Sequence, residues 1–387
     1  MPHDKKIFRV LAAADYFEPG YRAGGAIRSV AEIINTLKPG VELTLITRDR
    51  DLGRRQPYDG LSGKWRDCAN ARIYYINVRR IEHWLGFWKI IRRTEYDLLY
   101  LNSIWSKLFT MPFALAMMAH AIKARAVLIA PRGELSAGAL AVKALKKKLL
   151  LRQWLRVLGS LSPMWHASSS SEAADIKRAM GPCRIVISAD QTALPELPME
   201  PTESSKETLQ IVYVGRIAPI KNLRMSIAAL QLVDAAVDFD IYGPVDDARY
   251  WAECQREIAL LPPGRTVTYR GELLPSAVRT VFSKYDVFLL PTGGENFGHV
   301  IAESLSASCP VVCSANTPWT SILSEGGGSV LLELNESRIA DEVGRRARLS
   351  RADRFKDRIH AGEVYRHWRA TRTEENVIDQ VRPQTFI

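Results

Sequence analysis

Hydrophobic positions along the chain gather in short, nearly continuous runs separated by longer stretches of helical spacing. Ile7–Ala14, Val41–Thr47, Arg72–Val78, Leu98–Asn102 and Val127–Ala130 have the length and composition of buried strands. Between several of them apolar residues recur at helix spacing, as over Ala26–Leu37. This alternation predicts a parallel, doubly wound sheet. Near residue 190 the pattern stops. Residues 188–208, SADQTALPELPMEPTESSKET, are rich in Pro, Ser, Thr and Glu and predict a linker. A second alternating series follows, with strands expected at Leu209–Val214, Phe239–Tyr242, Val267–Tyr269, Val287–Leu290 and Val311–Cys313. The fold class expected is α/β, with two Rossmann-like, doubly wound domains facing a cleft. Residues 1–190 form the first, 191–208 the linker and 209–365 the second. The tail at 366–387 is expected to supply a helix that packs back on the first domain.

Composition narrows the class without naming it. Of 387 residues, 47% are hydrophobic and 25% charged, an ordinary globular balance that disfavours disorder, collagen-like repeats and coiled coils. The net charge of +11 is uneven. Residues 1–200 hold 31 Lys and Arg against 18 Asp and Glu, whereas residues 201–387 hold 22 against 24. An anionic partner for the first half is the natural reading. The five cysteines, odd in number and without a C-x-x-C pair, disfavour a disulfide framework or a zinc site. The N-terminal apolar run meets Asp15 at once and reads as a strand. The longest apolar tract, near Phe109–Ile122, is broken by Pro112 and His120 and falls short of the roughly 20 residues that span a bilayer. A cytoplasmic protein, soluble or peripheral on the inner face of the plasma membrane, is expected.

Candidate chemistry lies where ligands bind in such sheets, beyond the carboxyl ends of strands. The strand IVYV ends in Gly215 and Arg216, with Lys221 five residues on, just before a helical pattern. Two cations at a helix entry suit a diphosphate, and a solvated basic loop is the plain alternative. After VFLL comes PTGGENFGHVIAESL, in which Glu295 sits on a glycine-rich loop and Glu303 on the following helix. Sugar or ribose hydroxyls would give two such carboxylates a purpose. One capping and one surface glutamate is the alternative. Gly24 and Gly25 precede the first helix, where they could cradle a phosphate or simply form a turn. Asp49-Arg50-Asp51 has metal-binding spacing but lies in a basic loop, and no metal site is expected.

The segments GYRAGGAIRSV, VGRIAPIKNL, YGPVDD, YRGELL and PTGGENFGHVIAESL, in this order, resemble the retaining nucleotide-sugar glycosyltransferases of family 4, which have the GT-B fold. APRGEL and ANTPW look like a bacterial subgroup that builds surface polysaccharides, including lipopolysaccharide. The resemblance covers roughly residues 7–330. It implies a metal-independent hexosyltransferase using a UDP- or GDP-type donor. Its acceptor would be a glycan or lipid-linked glycan. Arg216 and Lys221 match the pair that holds the donor diphosphate, and Glu303 the carboxylate on the ribose. Glu295 matches the acid at the transferred sugar, with Asn296, Phe297 and Gly298 nearby and His299 shaping the pocket. Gly24 and Gly25 match the glycine loop near the phosphates. The Arg270–Glu272 stretch, with Gly271, matches the loop at the base. Tyr21, Arg22 and Arg132 are acceptor-side candidates. The sequence departs from the family in two places. Many relatives carry a His where this chain has Arg132, and Arg cannot serve as a base. The family's PNG-type segment is replaced by SADQT.

Two basic amphipathic segments account for much of the first half's charge. Ile81, Trp84, Leu85 and Trp88 lie among Arg79, Arg80, Lys89, Arg92 and Arg93. Leu151, Trp154, Leu155 and Leu158 lie among Lys143, Lys146, Lys147, Lys148, Arg152 and Arg156. Either the apolar faces meet an anionic membrane surface or they pack on the sheet. A nucleotide-sugar epimerase on the same fold is the competing enzyme. A nucleic-acid binder would need basic residues interleaved with stacking aromatics on a known module, which is not found.

Overall fold

The structure, a computed structural model, describes residues 7–68, 70–136, 140, 145–372 and 375–383. The chain divides into two compact units, Met1–Thr192 with Glu374–Ile387, and Ala193–Thr373.

The first unit is built on an eight-stranded sheet: β1 (Phe8–Ala14), β2 (Val41–Arg48), β3 (Lys64–Cys68), β4 (Ala71–Ile76), β5 (Glu95–Asn102), β6 (Lys123–Ala130), β7 (Met164–Ala167) and β8 (Arg184–Ile187). The order is β3-β4-β2-β1-β5-β6-β7-β8. All pairings are parallel except β3 on β4. The strand order reverses beside β1, which pairs with β2 on one side and β5 on the other. Two buried clusters sandwich the sheet. One packs α1 (Gly25–Asn35) through Val30, Ala31 and Ile34. The other packs α2 (Ile81–Ile91), α3 (Met111–Met118), α4 (Leu145–Ser160) and α5 (Ser170–Met180) through Phe87, Phe113, Leu155 and Ile176. In α4, Leu151, Leu155 and Leu158 are buried and Trp154 donates its indole N–H to the Ile104 carbonyl at 2.7 Å. That apolar face therefore packs on the sheet. Lys143 lies outside the described residues, as do the side chains of Lys146, Lys147 and Lys148.

The second unit has a six-stranded parallel sheet of β9 (Leu209–Val214), β10 (Val237–Tyr242), β11 (Arg265–Gly271), β12 (Val287–Leu290), β13 (Val311–Ser314) and β14 (Gly328–Leu331). Its order is β11-β10-β9-β12-β13-β14, so the direction of winding reverses between β9 and β12. Loops leaving those two strands diverge there and leave space for a ligand. The sheet is flanked by α6 (Leu223–Ala229), α7 (Ala248–Ala259), α8 (Val278–Phe282), α9 (His299–Ser306), α10 (Glu336–Ala347) and α11 (Arg351–Thr371).

The Pro-rich segment between the units has no regular structure, yet it is tied down. The Tyr365 hydroxyl donates to the Pro195 carbonyl at 2.5 Å and Ser308 Oγ to that of Met199 at 2.6 Å. Arg358 reaches the Thr202 carbonyl at 2.8 Å and Arg354 that of Glu207 at 2.7 Å. The segment thus lies along the second unit as a strap. At the C-terminus, α12 (Val377–Val381) buries Val377, Ile378 and Val381 in the first unit's core. Asn376 secures it by donating to the Ile33 carbonyl at 2.6 Å. The cysteines are free, and burial pushes the thiols of Cys254 and Cys309 up to about 12, so they remain protonated packing groups.

Candidate functional site

In the second unit the chemistry collects at the strand reversal. β9 is buried throughout and leads into Gly215 and Arg216. The β10 loop passes directly against this turn. A Cβ on Gly243, whose φ is 140°, would lie 1.9 Å from the Gly215 carbonyl oxygen, so only glycine fits. The Gly243 N–H donates to the Gly271 carbonyl at 2.8 Å, placing the three glycine turns side by side. Replacement of Gly243 by alanine is expected to lower stability by about 3 kcal/mol, through strain at positive φ and the backbone clash. Gly264→Ala is the control, because Gly264 also has positive φ (82°) but its Cβ would meet nothing closer than 3.9 Å. A urea midpoint for Gly243→Ala no lower than that of Gly264→Ala would contradict the close-approach account.

Arg216 is half-exposed and donates to Asp246 Oδ2 at 2.8 Å. The next turn, Pro219–Lys221, is stitched to the loop after β12. Gly293 N–H donates to the Ile220 carbonyl at 2.7 Å and Asn222 Nδ2 to that of Pro291 at 2.9 Å. Asn222 can serve here because its left-handed backbone (φ 53°) turns the chain into α6. The stitching brings Lys221 and Glu295, 74 residues apart, into a direct ion pair, with side chains only 15% and 13% exposed. Beneath the pair, burial raises Tyr213's pKa well above the ordinary value. Among its neighbours, Tyr250 and Glu295 also raise it and Arg216 lowers it. Burial likewise lifts Cys313 to about 11, opposed by its bond to Thr317 and reinforced by Glu295.

The loop then enters α9. Glu295 N–H donates to the Asn316 carbonyl at 3.1 Å. Trp319 donates its indole N–H to the Phe297 carbonyl at 2.6 Å, fixing the turn before the helix. Gly298 caps α9 at φ 81°, packed against Trp319. His299 and Glu303 are both buried on this helix, and His299 stacks edge-on against Phe297 at 4.7 Å. Gly271 ends β11 at φ 83°, beside Arg270, which pairs with Asp240 at 3.0 Å. A 310 Å³ cavity beside the loop is lined by Asn222, Arg224, Asp247 and Tyr250, and holds none of Arg216, Lys221, Glu295 or Glu303.

In the first unit, the Tyr21–Gly24 turn is organised by one carboxylate. Asp51 accepts from the backbone N–H groups of Tyr21 at 2.9 Å, Arg22 at 3.2 Å and Leu52 at 2.8 Å. Arg22 also donates to the Leu52 carbonyl at 2.7 Å. Gly24 follows at φ 70° as the cap of α1, with open space where a Cβ would lie. Asp49 is buried and accepts from Ser62 at 2.6 Å and Arg50 at 2.8 Å. The Asp49-Arg50-Asp51 carboxylates therefore hold loops.

Arg132, an acceptor-side candidate, is held within the first unit. Its side chain is nine-tenths buried and donates to Asp190 at 2.5 Å, Asn102 at 2.7 Å and the Tyr100 hydroxyl at 2.7 Å. Ser29 on α1 donates to the other Asp190 oxygen at 2.5 Å, and the same hydroxyl oxygen lies 3.0 Å from the Gly25 carbonyl. Arg132 thus ties α1's start to the sheet, and its fork is engaged with three partners. A separate cavity of about 610 Å³ opens near the ends of β1 and β5, lined by Asp15, Arg48, Ser103, Trp105, Lys107 and Glu134. Among the described residues, no three His, Cys, Asp or Glu side chains are grouped to hold a metal ion.

The sequence reading missed Asp246, Gly243 and Trp319. Asp246 and Gly243 lie in the YGPVDD segment already singled out, and Trp319 in ANTPW, so the signal was present but unassigned.

Residues 208–347 match the family described as glycosyl transferases group 1. Solved structures align over nearly the whole chain. The HepE protein of Anabaena, solved with UDP and glucose, is 15% identical with a TM-score of 0.71, covering 98% of this chain and 99% of that one. Sucrose-phosphate synthase from Thermosynechococcus elongatus is 16% identical with a TM-score of 0.70 over the same shares. The fold is GT-B. Among curated protein sequences nothing matches the chain.

Proposed function

We propose that the protein is a retaining glycosyltransferase that moves a hexose from a UDP- or GDP-type sugar to a glycan or lipid-linked glycan in surface polysaccharide synthesis. The observation that carries the reading is the Lys221–Glu295 pair at the strand reversal. It sets a cation for a diphosphate beside a carboxylate for sugar hydroxyls, with Arg216 on the adjoining turn. The family match over 208–347 supports a donor site in this unit. The UDP and glucose bound to HepE accord with it.

In the reaction the bond between the anomeric carbon and the diphosphate oxygen breaks, and its electron pair leaves on the diphosphate. The acceptor hydroxyl oxygen bonds to the same carbon on the face the diphosphate leaves, and its proton passes to the departing diphosphate oxygen. Arg216 and Lys221 stabilise the charge on the departing phosphate, exchanging Asp246 and Glu295 for phosphate oxygens as partners. Glu295 orients the hexose, Glu303 takes the ribose hydroxyls, and the Gly271 turn contacts the base. Asn296, Phe297, Gly298 and His299 shape the sugar pocket. Tyr21 and Arg22, fixed by Asp51, remain the acceptor-side candidates, whereas Arg132 acts by positioning α1.

A panel of UDP- and GDP-hexoses tests the proposal, scored by nucleotide release with and without a glycan acceptor. One donor is expected to release nucleotide in step with a new glycoside, and to do so in chelator. A new sugar nucleotide formed from donor alone would instead indicate an epimerase. Activity that stops in chelator and returns with a divalent ion would refute metal independence.

A further inference from the structure

We propose that the α2–α3 face of the first unit docks on an anionic lipid bilayer. The inference stands apart from the sugar-transfer reading and rests on how α2 is oriented. Sequence spacing puts Ile81, Trp84, Leu85 and Trp88 near one face, but the structure divides them. Trp84 and Trp88 turn inward, with ring centroids 6.0 Å from Phe109 and 5.2 Å from Phe113, while Phe87 and Ile91 are fully buried. The helix's packing on the sheet is thus complete without Ile81 and Leu85, which are 68% and 63% exposed one turn apart. On α3, joined to α2 through Trp88 and Phe113, Leu115 and Met118 are also exposed.

Cations surround these aliphatics. Arg79, Arg80, Lys89, Arg92 and Arg93 are all exposed, against the single acid Glu82 over residues 79–93. Aliphatic side chains among basic ones on a surface helix suit the boundary between acyl chains and anionic headgroups. The charge argues against the other occupants. A second copy would set like charge on like charge. Single-stranded nucleic acid would want exposed aromatics, and both tryptophans of α2 are packed into the unit. Among the described residues no helix is long and apolar enough to cross a membrane, so the contact would lie in the interfacial plane.

The test is co-sedimentation of the full chain with vesicles of phosphatidylcholine, alone or mixed with phosphatidylglycerol. Binding is expected only to the mixed vesicles. Arg92→Gln with Arg93→Gln is expected to weaken partition about 30-fold at low salt, and much less at 1 M salt where the charges are screened. Ile81→Gln with Leu85→Gln is expected to weaken it about 10-fold. The four side chains are exposed, so all variants should melt with the wild type. Arg249→Gln with Arg338→Gln, exposed cations of the second unit, should bind as the wild type does. The proposal is overturned by absence of binding to the mixed vesicles at low salt. Equal loss in the second-unit control would overturn it too. So would a wild-type dimer that Ile81→Gln with Leu85→Gln abolishes, which would make a second copy the occupant.

Discussion

Replacing Lys221 by alanine is expected to lower sugar-transfer turnover about 100-fold, and Glu295→Ala by the same order, with the fold intact. The size follows from where the pair sits. Both side chains are mostly buried, so their charges act through a medium less polarisable than water. Removing Lys221 withdraws the cation that meets the leaving phosphate. It also leaves a carboxylate, no longer neutralised, facing that phosphate, so the lost attraction and new repulsion add. Removing Glu295 deprives the hexose of its carboxylate and frees the ammonium from its fixed position. Because the two act as a unit, the double variant is expected to lose far less than the product of the single losses. Turnover assays with the true donor and acceptor decide the matter. A loss under about 3-fold for either single variant contradicts the assignment.

Arg132→Ala is expected to lower stability by about 3–5 kcal/mol, the largest effect anticipated in the first unit. The substitution leaves the Asp190 carboxylate, only 5% exposed, inside the unit without its cation. The same network includes His166, which is buried and donates from Nε2 to the Ser188 carbonyl at 2.9 Å. Burial first, and Arg132 second, depress the His166 pKa to about 4, so the imidazole is neutral in the folded protein. It cannot replace the missing positive charge at neutral pH. Arg132→Met with Asp190→Asn removes both charges and should recover part of the loss. Urea unfolding reads the difference. A drop under about 1 kcal/mol for Arg132→Ala would mean that Asp190 is stabilised by other groups.

Much of this architecture is legible in the sequence, for identifiable reasons. β9 and β12 fall on the residues expected because each is buried along its whole length, which leaves an unbroken apolar run. β3, Lys64–Cys68, escaped notice because it is a solvent-facing antiparallel edge strand with no apolar run. β7 and β14 are only four residues long, and β7 carries a histidine. The linker's attachment to the second unit is not legible because its bonds run largely through backbone carbonyls, which any residue would supply.

The site divides along the same line. Arg216, Lys221 and Glu295 stand out because they follow apolar runs in the loops at strand ends, and Glu303 because it lies on the helix that the Glu295 loop enters. Their partners do not stand out. Glu295 reaches Lys221 across 74 residues, and Asp190 reaches Arg132 across 58. Such pairings are decided by strand order, which local pattern does not encode. The link from Arg132 through Asp190 to Ser29 on α1 is likewise invisible from local position. The α2 face was left open between two readings for a related reason. The inward direction of a helix is set by the sheet it meets, and that sheet takes the tryptophans and leaves the aliphatics outside.

Calorimetric binding of UDP and GDP to the wild type and to Lys221→Ala tests the central claim most directly, since it needs neither the sugar nor the acceptor to be known. One of the two nucleotides should bind the wild type at micromolar concentration, and Lys221→Ala should weaken it at least 10-fold. If neither nucleotide binds, or if Lys221→Ala binds as tightly as the wild type, the loops after β9 and β12 are not the donor site.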